Sequence, residues 1–481
     1  MNTPENIDKL HGQPVIAGSS IAGLLIALHM QDAPCIVVSS GENRGCPYRR
    51  EPLPDPEITS KTFIARSGGT LACGDGLCLP ETVQLFADSN SLIQKDMADF
   101  IPAELREKNG NGEDLRASLL DRVRQNRNIT LLSPAVLTGI TKTEGRVTGV
   151  SLRADERSIQ ISTDAVILAS GGVTSVIRGR QPETCGISLA LRAGAHIRDP
   201  EFIHFHPLTF TEGQEQIFVP ENVSAETIFF SDEKNHPLFF PVRDRPALAR
   251  AVWRQTESGH RVYLDLSEAA ADPRHLTNTT WIRFMENSRR AGRDLTVEKL
   301  PVTASPAFHT GGILVDTDGR SSVPGLWACG EIASTGLHGA DYLPGNAFLE
   351  ALLFSRRVAQ NVLIRETARF PLMNQNHTAG VRPHGLAGLL QRLSYVALSP
   401  VRSAKVLELV ISKLAEFVSF DDAALLVTTC CLGALRRQES RGCHYRMDFP
   451  SGMEEAKHSD FALPFILKEI ARIRNHSDSR H

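Results

Sequence analysis

Residues 325–350, GLWACGEIASTGLHGADYLPGNAFLE, constrain what this chain can fold into more than any other stretch. A short apolar strand from Leu326 to Cys329 runs into Gly330-Glu331, then a loop carrying Gly336, Gly339 and Gly345, then a helix that begins near Asn346. Where a strand stops at a glycine and a helix follows, backbone N–H groups converge, which suits an anionic ligand. A second such turn lies at the opposite end of the chain: Val15-Ile16-Ala17-Gly18-Ser19-Ser20-Ile21-Ala22-Gly23, leading into Leu24-Leu25-Ile26-Ala27-Leu28-His29-Met30. Apolar strand, glycine turn and helix make the first βα unit of a dinucleotide fold; Gly18 permits the turn and Gly23 lets the helix approach the sheet. The middle glycine of G-x-G-x-x-G, where backbone meets pyrophosphate, is here Ser20. Two ligand-facing turns so far apart predict one cofactor domain interrupted by an insertion.

The next strand, Cys35-Ile36-Val37-Val38-Ser39-Ser40, ends where a ribose should sit, and it ends in serine rather than an acid. The ribose contact must then be a neutral hydroxyl or backbone, which argues against NAD. With 481 residues the chain can bury a large core and divide into roughly two to four domains. A net charge of −3 leaves no basic field for nucleic acid. No apolar run approaches the ~20 residues of a membrane helix. Val15–Met30 is broken by glycine and serine and follows an acidic start, so it does not read as a secretory leader. Nine cysteines are scattered without a CxxC pair, and Cys73/Cys78 and Cys430/Cys431 lack metal-site spacing. Reduced thiols in a cytoplasmic protein, with no metal, are expected.

Residues 41–62, with Pro47, Pro52, Pro54 and Pro56 among charges, read as a surface excursion. Thr62–Gly69 then reads as a return to a glycine turn, followed by helices at Pro80–Asp99 and Leu115–Gln125 and a strand at Asn128–Leu132. A hairpin (Val147–Arg153, Ser158–Ser162) leads into Ala165-Val166-Ile167-Leu168-Ala169-Ser170-Gly171-Gly172, which brings the chain back to the cofactor sheet. From about Pro200 to Phe308 the sequence turns rich in His, Phe and Pro with few βα units, as an insertion would. Beyond a polar linker at 370–384, apolar residues recur at helical spacing: Leu386, Leu389, Leu390 and Leu393, then Val406, Leu409, Val410 and Leu414. The expected fold is α/β: a Rossmann-like cofactor-binding domain (1–199 and 309–370), an inserted α+β domain (200–308) and a C-terminal helical domain (385–481).

In order along the chain, GSSIAG, TFIARSGG, ILASGG, FHP, RPALARAV, GGILVDTDGR, GLWACGEIASTGLHGAD-x-x-x-x-N-x-x-LE and RRQESRGCHYRMDFP resemble the L-aspartate oxidase family. That family lies within the wider group of succinate dehydrogenase and fumarate reductase flavoproteins. Glu439-Ser440-Arg441-Gly442 is its most specific mark here. The resemblance implies FAD laid across the sheet, so that the cofactor-binding domain is an FAD-binding domain, the insertion a capping domain and the C-terminal region a three-helix bundle. The implied flavin contacts are Ser19, Ser20, Ile21, Ala22, Ser40, Thr62, Phe63, Ile64, Ala65, Gly68, Gly69, Glu331, Ala347 and Phe348. The turns add Gly18, Gly23, Gly171 and Asn346. No histidine occupies Thr62-Phe63-Ile64-Ala65, so the cofactor is expected to be noncovalent.

The reaction implied is hydride transfer from the α-carbon of L-aspartate to flavin, giving iminoaspartate for quinolinate synthase in NAD biosynthesis, with oxygen or fumarate as acceptor. Arg245 matches the family's catalytic arginine, His206 the histidine that holds a carboxylate, and Glu221 the acid near the amino group. The arginine expected to grip a carboxylate in the final loop is Tyr342, the histidine of H-Y-[TF]-x-G-G is Ala307, and an aspartate near the adenine end is Cys185. The T-E-x-x-R-G-x-G block reads Pro220 to Thr227 without its threonine and arginine, and R-E-G-G-H-S has no counterpart. His309, two residues beyond Ala307, shares its strand face and can supply a displaced donor. Three readings follow: an aspartate oxidase with a rearranged pocket, a relative acting on another amino or carboxylic acid, or a flavoprotein that no longer catalyses.

Overall fold

The computed structural model describes residues 7–41, 60–107, 111–154, 157–179, 185–212, 215–220, 223, 225–276, 279–290, 292–367 and 385–478, and of Thr62, Phe63 and Ile64 only the backbone. At the centre is a five-stranded parallel sheet in the order Leu326–Ala328, Val166–Leu168, Val15–Ala17, Cys35–Val38, Ile129–Leu132. The strand latest in sequence pairs with Val166–Leu168, so distant parts of the chain share one sheet. Four of its strands are apolar throughout because both faces are covered, and the edge strand Ile129–Leu132 carries Thr130. The Ile21–His29 and Asn346–Leu363 helices pack on one another over it. From the latter helix Leu349, Leu352, Leu353, Phe354, Val358 and Val362 are buried, each worth about 1.5–3 kcal/mol against exposure.

A six-stranded antiparallel sheet stands beside this core, in the order Glu215–Phe218, Ile203–Glu212, Leu300–His309, Val262–Asp265, Phe229–Ser231, Pro237–Leu238. The Arg245–Glu257 helix packs across its two long central strands. A separate antiparallel sheet holds Val136–Thr143, Arg146–Ala154 and Arg157–Ser162; its first strand is not anticipated from sequence, where it reads as a connection. Asp460–Phe461 pairs with Ile197–Arg198 in a four-stranded sheet with Gly312–Leu314 and Ala333–Ser334, stitching the C-terminal region to the segments that flank the six-stranded sheet.

Four expectations are corrected. Thr62–Gly69 is not a glycine turn but the middle of a Ser60–Cys73 helix, where Gly69 lets Leu343 approach: a Cβ there would lie 3.2 Å from it. The helix expected over Pro80–Asp99 is two, Pro80–Asp88 and Asn90–Phe100, broken at Ser89, whose hydroxyl turns back to the Leu85 carbonyl. The C-terminal region holds four helices among the described residues rather than three: Leu386–Ala397, Ala404–Leu414, Asp422–Arg436 and Leu463–Asp478. On the second of these the buried face is Leu407, Val410, Ile411 and Leu414, and Leu409 faces solvent. No helix among the described residues is long and apolar enough to cross a membrane.

Candidate functional site

The strands ending at Ala17, Val38, Leu168 and Ala328 stop at one edge of the parallel sheet. There Ser20 caps the Ile21–His29 helix, accepting from Gly23 N–H at 3.3 Å. Gly18 has φ +122°, and a Cβ on it would fall 2.4 Å from the Ala169 carbonyl oxygen. Gly23 backs onto Gly18 so tightly that a Cβ would stand 2.2 Å from its carbonyl oxygen. Ser19 Oγ lies 2.7 Å from Ser39 Oγ, and Arg116 donates from Nε to Ser19 O and from its terminal nitrogen to Ser19 Oγ, both at 2.8 Å. Ser39, not Ser40, thus makes the side-chain link; Ser40 follows it, half-buried, at the strand's end. Gly18→Ala, where no Cβ fits, is expected to yield protein without flavin colour, checked by visible absorption of the purified variant against native.

The second turn is built from the 330–345 loop. Gly330 (φ +81°) touches the first helix, where a Cβ would sit 3.1 Å from that of Ala22, so the two cofactor turns abut. Glu331 Oε1 accepts from Thr174 Oγ1 at 2.8 Å and His309 N–H at 3.2 Å; burial pushes this carboxyl up to about 7, while its hydrogen bond from Thr174 pulls the other way. Gly171 lies against the other oxygen, 3.9 Å from where its Cβ would be. Gly345 (φ +82°) starts the Asn346–Leu363 helix without a side-chain cap, leaving first-turn N–H groups for a ligand. Asn346 is spoken for: its Oδ1 accepts from Arg66 at 3.0 Å and its Nδ2 donates to Thr70 at 2.7 Å. Arg66 also donates to the Pro344 carbonyl at 2.7 Å, tying the Ser60–Cys73 helix to the loop.

These features fit a dinucleotide flavin. Ser170 Oγ, beside Gly171, is shielded from solvent and has no protein partner, and Gly68 faces open space with nothing within 4 Å of an added Cβ. Residues that would hold the cofactor are the Gly18–Gly23 turn, Ser39, Arg116, Glu331 and the start of the Asn346 helix.

Where the cap meets the loop, polar side chains converge. Arg245 is the first residue of its helix, fixed by Asp244, which accepts from Ala247 N–H at 3.0 Å. Its guanidinium donates to Tyr342 O at 2.7 Å and stands 3.6 Å from Asp341 Oδ2 and 5.8 Å from the centre of the Tyr342 ring. Asp341 Oδ1 accepts from Tyr342 N–H at 2.9 Å and lies 2.7 Å from His204 Nδ1. The Tyr342 ring meets His204 edge-on at 4.8 Å and Phe308 at 5.0 Å. Ala347 joins Phe308 and Tyr342 in one apolar cluster, so the start of the cofactor helix and the Arg245 group share a wall. An anion and a carbonyl around the guanidinium suit a cation, not a base. Among the described residues, the arginine of this cluster is Arg245, and a carboxylate already neighbours it.

The other residues expected in the site are placed differently. His206 is buried on the same strand as His204, its Nδ1 accepting from Leu208 N–H at 3.2 Å and its ring 4.8 Å from Phe218. His309 is buried with Nε2 3.0 Å from the Pro200 carbonyl; burial pushes it down to about 4, and its polar contacts are with Pro200 and Glu331, not with Arg245, Asp341 or Tyr342. A register shift between Pro306 and Phe308 breaks simple alternation there, so His309 does not stand in for the missing histidine as a charged donor. Glu221 lies outside the described residues, as do the side chains of Thr62, Phe63 and Ile64. Ala65 is exposed, and Phe348 is half-buried against the core beneath its helix. Asp341, His204, Arg116 and Ser39 are missed by sequence reasoning. Alternation along FIHFHP puts His204 on the face of His206, but nothing short of the fold pairs it with Asp341.

Comparison with known proteins agrees with this architecture. An FAD binding domain model matches residues 66–348, and a fumarate reductase flavoprotein C-terminal model matches residues 393–464. The L-aspartate oxidase of Agrobacterium fabrum is 30% identical over 90% of this chain and 91% of its own. That of Mesorhizobium japonicum is 28% identical over 99% of each. Among solved structures, an E. coli quinol fumarate reductase chain superposes with TM-score 0.74 at 20% identity over 94% of each chain. The adenylylsulfate reductase of Archaeoglobus fulgidus does so with TM-score 0.64 at 13% identity over 97% of each. At those identities the structures speak to the fold alone.

Proposed function

The chain belongs to the succinate dehydrogenase and fumarate reductase flavoproteins as an FAD-dependent oxidoreductase related to the L-aspartate oxidases, and on that premise we propose that it oxidises L-aspartate to iminoaspartate. The observation that carries this reading is the placement of Arg245 at the first turn of its helix, facing the wall that Tyr342 and Phe308 share with the flavin helix. FAD, held noncovalently by the Gly18–Gly23 turn, Ser39, Arg116, Glu331 and the start of the Asn346 helix, would supply a hydride acceptor for the substrate α-carbon, with oxygen or fumarate as the final electron acceptor. Arg245 holds and orients a carboxylate, Asp341 and His204 hold Arg245, and the Phe308–Tyr342–Ala347 wall excludes water. The product would supply quinolinate synthase in cytoplasmic NAD biosynthesis. Segments 1–199 and 309–370 form the FAD domain in this reading, and 200–308 closes over it.

Tyr342 favours a second reading within the same chemistry. An aromatic ring stands where the family's second carboxylate-gripping arginine is expected, and losing such a partner costs about 2–5 kcal/mol. A substrate with one carboxylate and an uncharged side chain avoids that loss. Anaerobic mixing of the yellow protein with L-aspartate is expected to bleach the flavin, and trapping with quinolinate synthase to yield quinolinate. Bleaching by another amino or carboxylic acid but not by aspartate selects the second reading. A protein that neither carries nor takes up FAD would refute both and leave a non-catalytic homologue.

A further inference from the structure

His338, in the loop after the Ala333–Ser334 strand, has a side chain only 3% exposed. Its Nε2 lies 2.9 Å from Glu350 Oε2. A carboxylate only accepts, so in the neutral ring Nε2 carries the hydrogen and Nδ1 keeps its lone pair. Glu350, in the second turn of the Asn346–Leu363 helix, is held at its other oxygen by the Thr335 hydroxyl, and Thr335 Oγ1 in turn accepts from Leu337 N–H at 3.2 Å. His338 Nδ1 is shielded from solvent and has no hydrogen-bond partner. The ring stands perpendicular to Phe308 at 5.2 Å and to Tyr342 at 6.2 Å, the two aromatic members of the wall beside Arg245. A nitrogen base fixed by a carboxylate that is itself fixed, with its acceptor atom unmet, is the arrangement of an oriented proton acceptor.

We infer that His338, oriented by Glu350, takes the proton from the substrate's ammonium group. The inference rests on the amino-acid oxidation proposed above. One ammonium N–H bond breaks and its proton passes to Nδ1, forming an imidazolium that Glu350 balances. The freed nitrogen lone pair then forms the C=N bond as the α-hydrogen leaves with its electron pair to the flavin; the substrate loses two electrons and the flavin gains two. Arg245, between Asp341 and the Tyr342 carbonyl, remains a cation throughout and serves the carboxylate. Acid–base duty and anion binding thus fall to different residues.

The test uses FAD-loaded full-length protein and the rate of anaerobic flavin reduction under L-aspartate, or under whichever acid bleaches the native protein. His338→Asn is expected to slow reduction by about a hundredfold or more while flavin content and substrate affinity stay within about threefold of native. Glu350→Gln is expected to slow it by about tenfold, and added imidazole to restore part of the rate in His338→Gly. A histidine that only packed would instead weaken flavin retention or substrate affinity. Native-like reduction in His338→Asn, or no imidazole recovery in a folded, flavin-loaded His338→Gly, overturns the inference and leaves the function standing. If no amino acid bleaches the native protein, the inference falls together with the aspartate reading, whereas bleaching by a carboxylic acid without an amino group overturns the inference alone and leaves the second reading standing.

Discussion

Arg245→Leu is expected to lower kcat/KM for flavin reduction by roughly thirty- to several-thousand-fold, the equivalent of about 2–5 kcal/mol, while the protein keeps its FAD. The size follows from what the guanidinium faces. Arg245 is the cation of this cluster, bonded to the Tyr342 carbonyl and neighbouring Asp341. Without it, a substrate carboxylate entering the site would meet Asp341 with no intervening positive charge, so the loss combines a missing partner with like-charge repulsion. Folding should survive, since Asp341 still accepts from Tyr342 N–H and lies 2.7 Å from His204, and the helix keeps its Asp244 cap. Arg245→Lys should recover only part of the rate, because a compact ammonium cannot donate to Tyr342 O and hold a carboxylate in the same planar geometry. Stopped-flow bleaching without oxygen measures all three proteins. Reduction of Arg245→Leu within about threefold of native would remove Arg245 from the chemistry.

Much of the frame is legible in the chain because the parallel sheet demands a distinct pattern. Val15–Ala17, Cys35–Val38, Val166–Leu168 and Leu326–Ala328 are short and apolar on every residue, as strands buried on both faces must be, and each meets a glycine or serine within two residues of its end. The places that misread are those where one residue serves two uses. Gly68-Gly69 has the composition of a turn, yet it lies inside a helix, where Gly69 leaves room for the Leu343 side chain. In FIHFHP two histidines share a face, and only the fold shows that His204, two residues before His206, reaches Asp341. His338 and Glu350 sit on different elements, a loop and a helix, whose separation no local periodicity reports. The resemblance marks which segments matter; contacts between segments decide which side chain acts.

The ESRG segment shows how a distant element supports the site. Arg437 is buried among three carboxylates: Nε donates to Glu201 at 2.6 Å, and the terminal nitrogens donate to Glu439 at 2.8 Å and Asp199 at 3.1 Å. Burial opposes its charge, but Glu201 and Asp199 more than offset that and hold it above the ordinary arginine value. Glu439 in turn holds Arg441, and the loop they fix lays Gly442 and Cys443 against Ala340, whose carbonyl accepts from Cys443 N–H at 3.1 Å. Ala340 precedes Asp341, so this network sets the loop that presents the Arg245 partner. Arg437→Met removes the cation that three buried carboxylates share: Glu439 keeps Arg441 and Asp199 keeps His458, while Glu201 loses its ion pair and keeps the Ser459 hydroxyl. The expected loss is about 3–5 kcal/mol of stability, the range for removing one partner of a buried pair. Glu201→Gln in the Arg437→Met background should return part of it, because the charge left without its ion pair disappears as well. Urea unfolding followed by flavin release and by far-UV circular dichroism separates the two consequences: the flavin signal should be lost at lower urea than the helices. A variant whose midpoint stays at the native value would show that Arg437 is not what holds those carboxylates.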